Sequence, residues 1–188
     1  DLIKVKESNL VRFYEDPYRC FGLYRDGIRV RGKFIHKSYC IDKIIFSKND
    51  VILDCGANSG DLFIELKDNI NSHNYIGIEP NPADFNVLKI NCPNTRLVNK
   101  ALGMEKSTLD FFIATDEGDS SLIEPKNFQE ITQVEVISIS ELMQELKIDK
   151  IKLLKLEAEG YEPEILIGIK DRLKDIEYIA IDGGYERG

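Results

Sequence analysis

The stretch VILDCGANSGDLF, Val51 to Phe63, opens as an apolar strand and passes at once into a loop nearly stripped of side chains. A strand that ends in a glycine turn and reopens as a helical pattern is the first unit of a layered α/β fold, in which ligands sit at the carboxyl ends of the strands. Glycine there lets the backbone approach a ligand closely, and Gly56 and Gly60 fit that role.

Outward from this loop, short apolar runs alternate with helical patterns, which is how a parallel sheet with crossover helices reads. Asp61 to Ile70 is expected as a helix with Leu62, Phe63 and Leu66 on one face. NYIGIEP is the second strand, and NPADFNVLKINC follows as a helix with Phe85, Leu88 and Val87 facing in. Asn81 suits its cap and Pro82 its first position. TRLVNKAL supplies a third strand. STLDFFIA and TQVEVISIS read as a hairpin or a pair of strands around a long loop, the polar stretch from Thr115 to Gln129. SELMQELK is a helix capped by Ser140, IKLLKLE a fourth core strand, PEILIGIKDRLK a helix and IEYIAID the last strand. The expected fold is a Rossmann-like α/β domain, a mostly parallel sheet with helices on both faces, over residues 46–188. Residues 1–45 are expected as a less regular N-terminal extension packed on that core.

Composition narrows the function. A chain of 188 residues with 43% hydrophobic content can bury a real core. Its net charge of −8 argues against a nucleic-acid partner, because such surfaces are usually basic; the local exception is RDGIRVRGKFIHK, Arg25 to Lys37. Cys20, Cys40, Cys55 and Cys92 lack metal-ligand or disulfide-framework spacing and read as reduced thiols. No run approaches the ~18 apolar residues of a membrane span and no signal peptide is visible, so a cytoplasmic protein without a membrane partner is expected. An opening Asp1 in place of methionine suits a trimmed chain.

The loop also selects its ligand. The dinucleotide fingerprint puts a second glycine where a pyrophosphate presses on the helix, but here that position is Asn58. Glu79 ends the second strand nineteen positions after Gly60, where a carboxylate accepts hydrogen bonds from both ribose hydroxyls. A ribose without a phosphate at the helix terminus points to S-adenosylmethionine.

DCGANSGDLF, GIEPNP, VNKALG, DSSL and IKLLKLEAEGYEPEILIG together resemble the FkbM family of S-adenosylmethionine-dependent methyltransferases, over about Asp50 to Asp182. The resemblance implies methylation of a hydroxyl on a sugar, glycan or secondary metabolite. It places cofactor contacts at Asp54, Gly56, Ala57, Asn58 and Gly60 of the loop, at Glu79, Pro80 and Asn81, at Ala101, and at Ser121 and Glu157. The family's usual Lys-Ile-Asp-x-Glu-Gly reads Lys155-Leu156-Glu157-Ala158-Glu159-Gly160 here, so the carboxylate is one methylene longer. Sheets of this class normally add a final antiparallel hairpin, yet only Gly183 to Gly188 follow IEYIAID, and that hairpin is expected to be missing.

Removing the hydroxyl proton needs a base. Glu157, Glu159 and Asp182 are the expected catalytic carboxylates, with Glu157 near the cofactor and Glu159 or Asp182 toward the acceptor. Two close carboxylates repel, so one is expected to have a raised pKa. Lys155 is read as neutralising them, His36 as an alternative base, His73 as a surface residue, and Ser120 beside Ser121 as a ligand contact. A divalent cation between Glu157, Glu159 and Asp182 is a competing arrangement. The rival functions are an NAD-linked sugar-nucleotide enzyme and a non-catalytic module of the same fold.

Overall fold

Ile52, Tyr75 and Leu153 stand side by side on one face of a sheet, Leu53, Ile76 and Leu154 on the other, and all six are fully buried. Strands apolar on both faces are what a parallel sheet covered by helices requires. The computed structural model describes residues 2–114 and 120–183.

The sheet contains β3 (Ile52–Cys55), β4 (Tyr75–Ile78), β5 (Arg96–Val98), β9 (Ile151–Leu156) and β10 (Ile176–Ile181), all parallel, in the order β10-β9-β3-β4-β5. The order reverses between β3 and β9, and in such sheets the crevice at the carboxyl ends beside the reversal is where ligands bind. Helices α2 (Ile28–Ser38), α3 (Phe63–Leu66) and α4 (Pro82–Asn91) contribute buried side chains around the Ile52 face. Helices α5 (Ile139–Glu145) and α6 (Glu162–Ile169) cover the Leu53 face through Ile139, Leu142, Met143 and Ile165. Asn81 caps α4 through the Ala83 N–H (3.0 Å), with Pro82 in the first turn.

A second sheet, β6-β8-β7, combines β6 (Ala101–Gly103) with the antiparallel pair β7 (Ser107–Ala114) and β8 (Phe128–Ser138). The hairpin expected from the sequence is this pair; residues 115–119 of its loop lie outside the described residues. β10 is the edge of the five-stranded sheet among the described residues. No described helix is long and apolar enough to cross a membrane, and all four cysteines are free thiols.

Several elements differ from expectation. TRLVNKAL is two strands: β5 pairs with β4 and β6 with β8, and between them the Asn99 side chain donates to the carbonyls of Glu79 (2.8 Å) and Pro80 (3.1 Å). The helix after the glycine loop stops at Leu66, because the amides of Asn69 and Ile70 converge on the Leu66 carbonyl instead of stepping along the chain. Ser138, not Ser140, caps α5, accepting from the Glu141 N–H (3.2 Å) while the Glu141 side chain accepts from the Ser138 N–H (3.0 Å). In α4, Val87 and Leu88 are buried and Phe85 only half so. After α6 the chain tightens into a 3₁₀ turn, Lys170–Asp175. The first 45 residues are more regular than expected, with a hairpin of β1 (Ile3–Glu7) and β2 (Leu10–Tyr14), then α1 (Pro17–Tyr24) and α2.

Candidate active site

The turn after β3 is built around two glycines with different duties. Gly56 has φ +69°, and a Cβ there would come within 2.1 Å of the Glu157 carbonyl oxygen, so only glycine lets the ends of β3 and β9 close on each other. The amides of Gly56 and Ala57 both donate to the Ile78 carbonyl (3.0 Å each), tying the turn to β4. Gly60 has φ +86°, and its missing side chain makes room for Cys92 and Leu88; it packs the loop on α4.

The N-terminal elements clamp this turn from outside. Arg12 donates to the Ser59 carbonyl and pairs with Asp61 (3.2 Å), Arg31 Nε pairs with the other Asp61 oxygen (2.9 Å), and the Tyr24 hydroxyl also donates to Asp61. Burial pushes the Asp61 carboxyl up, but the two guanidinium groups outweigh it and hold it below the usual carboxylate range. Tyr14 donates to the Asn58 side chain (3.1 Å), and Asn91 bridges the Phe13 backbone and the Ser59 carbonyl.

Between these parts lies an open cleft at the carboxyl ends of β3, β4 and β9. Gly56, Asn58, Glu79, Pro80, Ala101, Glu157 and Glu159 line it, bringing seven of the expected site residues together. Tyr14, Arg19, Leu23 and Arg31 join them from the N-terminal elements, and Asp84, Phe111, Leu122 and Tyr161 from the core.

Glu79 is buried, with one carboxylate oxygen accepting from the Asn58 N–H (2.8 Å) and the other from the Asn81 N–H (2.9 Å). Each oxygen keeps a second lone pair for a ligand hydroxyl. Burial and the neighbouring Asp84 push its pKa up to about 8 against the pull of the two amides. The sign follows: with its folded value above the ordinary 4.5, this carboxyl favours the fold at low pH, and that contribution is lost as pH rises toward about 8. Glu79→Gln should flatten the melting temperature over that window. Glu79→Ala should weaken nucleoside binding by roughly 1–3 kcal/mol, about 0.5–1.5 kcal/mol for each of two ribose hydrogen bonds, measured by calorimetry; unchanged affinity would place the ribose elsewhere.

At the end of β9, Lys155 is buried, with Nζ 3.2 Å from Asp54, 2.6 Å from Glu157, and donating to the carbonyls of Cys55 (3.1 Å) and Gly56 (3.0 Å). Burial draws Asp54 toward its neutral form, whereas Lys155 is held charged against its own burial by the two carboxylates. Four acceptors around one ammonium decide for a charged lysine. Burial also raises Glu157, but Lys155 and a hydrogen bond from the Tyr39 hydroxyl prevail and its pKa is lowered. The expected raised carboxylate is therefore not Glu157.

The remaining expected residues are placed differently. Asp54 is buried under Lys155 and accepts from Tyr75. Ser121 donates to the Glu159 carbonyl (2.9 Å) and accepts from the Ile123 N–H (2.9 Å), so it shapes the Glu159 turn, while Ser120 lines the cleft. Asp182 is exposed at the end of β10, its amide donating to the Leu156 carbonyl (3.0 Å). His36 lies in a different hollow with Lys33, Ile41 and Glu65, and burial lowers its pKa. His73 is an exposed turn residue. Among the described residues no group of three or more His, Cys, Asp or Glu is arranged to hold a metal ion, so Glu157, Glu159 and Asp182 do not form the competing cation site. Sequence reasoning missed Tyr39, Arg31, Asp61 and Asp84; the basic run from Arg25 to Lys37 was the signal for Arg31.

A family model described as the methyltransferase FkbM domain matches residues 54–182. Methyltransferase 1 of Beauveria bassiana (strain ARSEF 2860) is 26% identical over 186 residues, covering 83% of this chain and 75% of that protein. No solved structure matches significantly.

Proposed function

This chain belongs to the FkbM methyltransferase family, and from that premise we propose that it takes a methyl group from S-adenosylmethionine and passes it to a hydroxyl oxygen of a sugar, glycan or secondary metabolite. The observation that carries this reading is Glu79, a buried carboxylate anchored by two backbone amides beside the Gly56 turn. It suits a ribose, and the turn lacks the middle glycine a pyrophosphate would need.

When bound, S-adenosylmethionine supplies an electrophilic methyl on a cationic sulfur that leaves as a neutral thioether. The forming bond joins the acceptor oxygen to that carbon, and the hydroxyl proton must pass to a base. Glu157, kept ionised by Lys155 and Tyr39, balances the cation and orients the acceptor hydroxyl. Glu159 takes the proton: it lines the same cleft, and its backbone is fixed at φ +50° with its carbonyl held by Ser121. Leu23, Phe111, Leu122 and Tyr161 supply apolar and aromatic surface that limits water around the reacting atoms.

The test is incubation with S-adenosylmethionine labelled with ¹³C in its methyl group and a panel of neutral and acidic sugars. A new methoxy carbon is the expected result and also excludes a non-catalytic module. Transfer to nitrogen alone, or none to any hydroxyl, would contradict the reading.

A further inference from the structure

We infer that Arg31 is a carboxylate-binding residue of the cleft. Asp61 is one carboxylate met by two guanidinium groups, Arg12 and Arg31, which leaves a net positive charge in the wall. Arg12 is buried and donates to the Ser59 and Asn91 carbonyls as well as to Asp61. Arg31 differs. Its side chain is 20% exposed, it lines the cleft with Glu157 and Glu159, and its guanidinium donates from Nε to Asp61. Its guanidinium carbon lies 5.9 Å from the centre of the Phe34 ring, so the group is braced by Asp61 and by an aromatic neighbour.

Arginine carries five N–H donors and no acceptor, so the donors left after Asp61 are open to water or to the oxygen atoms of an incoming ligand. A braced planar fork is the geometry that receives a carboxylate through two parallel hydrogen bonds. The surrounding charge agrees: residues 17–38 hold six Lys and Arg against the single Asp26, in a chain of net charge −8. That local field draws anions toward these helices.

Two sources bring a carboxylate here. One is the amino-acid end of the cofactor, running from the ribose at Glu79 past the glycine turn; the other is an acidic acceptor such as a uronic acid. The inference rests on the cofactor reading proposed above, and the experiment separates the two. Wild type and Arg31→Gln are titrated with S-adenosylhomocysteine and with 5′-methylthioadenosine, which keeps the nucleoside and thioether but has no carboxylate. Both proteins, saturated with S-adenosylhomocysteine, are then titrated with glucuronate and with glucose.

A loss of about 10-fold or more for S-adenosylhomocysteine, with 5′-methylthioadenosine unchanged, supports the inference and assigns the cofactor carboxylate. Unchanged S-adenosylhomocysteine, with a wild-type preference for glucuronate that disappears in Arg31→Gln, supports it and assigns the acceptor. Should Arg31→Gln fail to fold, Arg31→Lys keeps a cation for Asp61, gives up the fork, and should show the same pattern at smaller size. Equal losses for both nucleosides, or no change in any titration, overturn the inference alone. Wild type that binds neither nucleoside overturns the cofactor reading and the inference together.

Discussion

Glu159→Gln is expected to lower methyl transfer by about 10²-fold or more while leaving S-adenosylhomocysteine affinity within about twofold, because it removes a proton acceptor without removing a cofactor contact. Glu157→Gln should divide differently. Its carboxylate is pinned ionised by Lys155 and Tyr39, so its loss should weaken binding of cationic S-adenosylmethionine more than binding of the neutral product. Glu157→Asp, the family's usual residue, should retain activity. Single-turnover rates and calorimetric affinities for both nucleosides separate these roles; a Glu159→Gln protein with unimpaired turnover would move the base elsewhere in the cleft.

Lys155→Met should destabilise the fold by about 3–5 kcal/mol, the usual cost of leaving a buried charge without its partner. Asp54 is 1% exposed and Glu157 faces the same ammonium, while the Cys55 and Gly56 carbonyls lose a donor. For a chain of this length that corresponds to roughly 6–20 °C in melting temperature. Replacing both buried partners, Asp54→Asn with Lys155→Met, should recover part of the loss, because no uncompensated charge then remains at Asp54. Calorimetric melting of wild type, single and double variants measures this; a single variant melting within about 2 °C of wild type would show that the lysine does not hold the strand ends together.

The parts of this protein that follow local rules were legible in its sequence. Strands such as Ile52–Cys55 and Ile151–Leu156 are short apolar runs bounded by turn residues. Asn81 capped as expected because cap and helix are neighbours in the chain. The α5 cap was misplaced by two residues although Ser138 and Glu141 carried the capping-box spacing. Long-range pairing was not legible. Arg12 meets Asp61 across 49 residues and Tyr14 meets Asn58 across 44, and nothing in either segment announces the other. For the same reason Lys155 read only as a neutraliser of Glu157 and Glu159, whereas in the structure it pairs with Glu157 and also links the ends of β3 and β9 through Asp54 and the Cys55 carbonyl. The packing duty of Gly60 was not legible either, since the contacts that demand a glycine there come from Leu88 and Cys92, far along the chain.

The most direct test of the account is a pair of calorimetric titrations of the wild-type protein, one with S-adenosylhomocysteine and one with NAD. The cleft described here, with Glu79 anchored by the Asn58 and Asn81 amides beside the Gly56 turn, predicts saturable one-to-one binding of S-adenosylhomocysteine that Glu79→Ala weakens, and no comparable binding of NAD. Tight binding of NAD without a response to S-adenosylhomocysteine would contradict it.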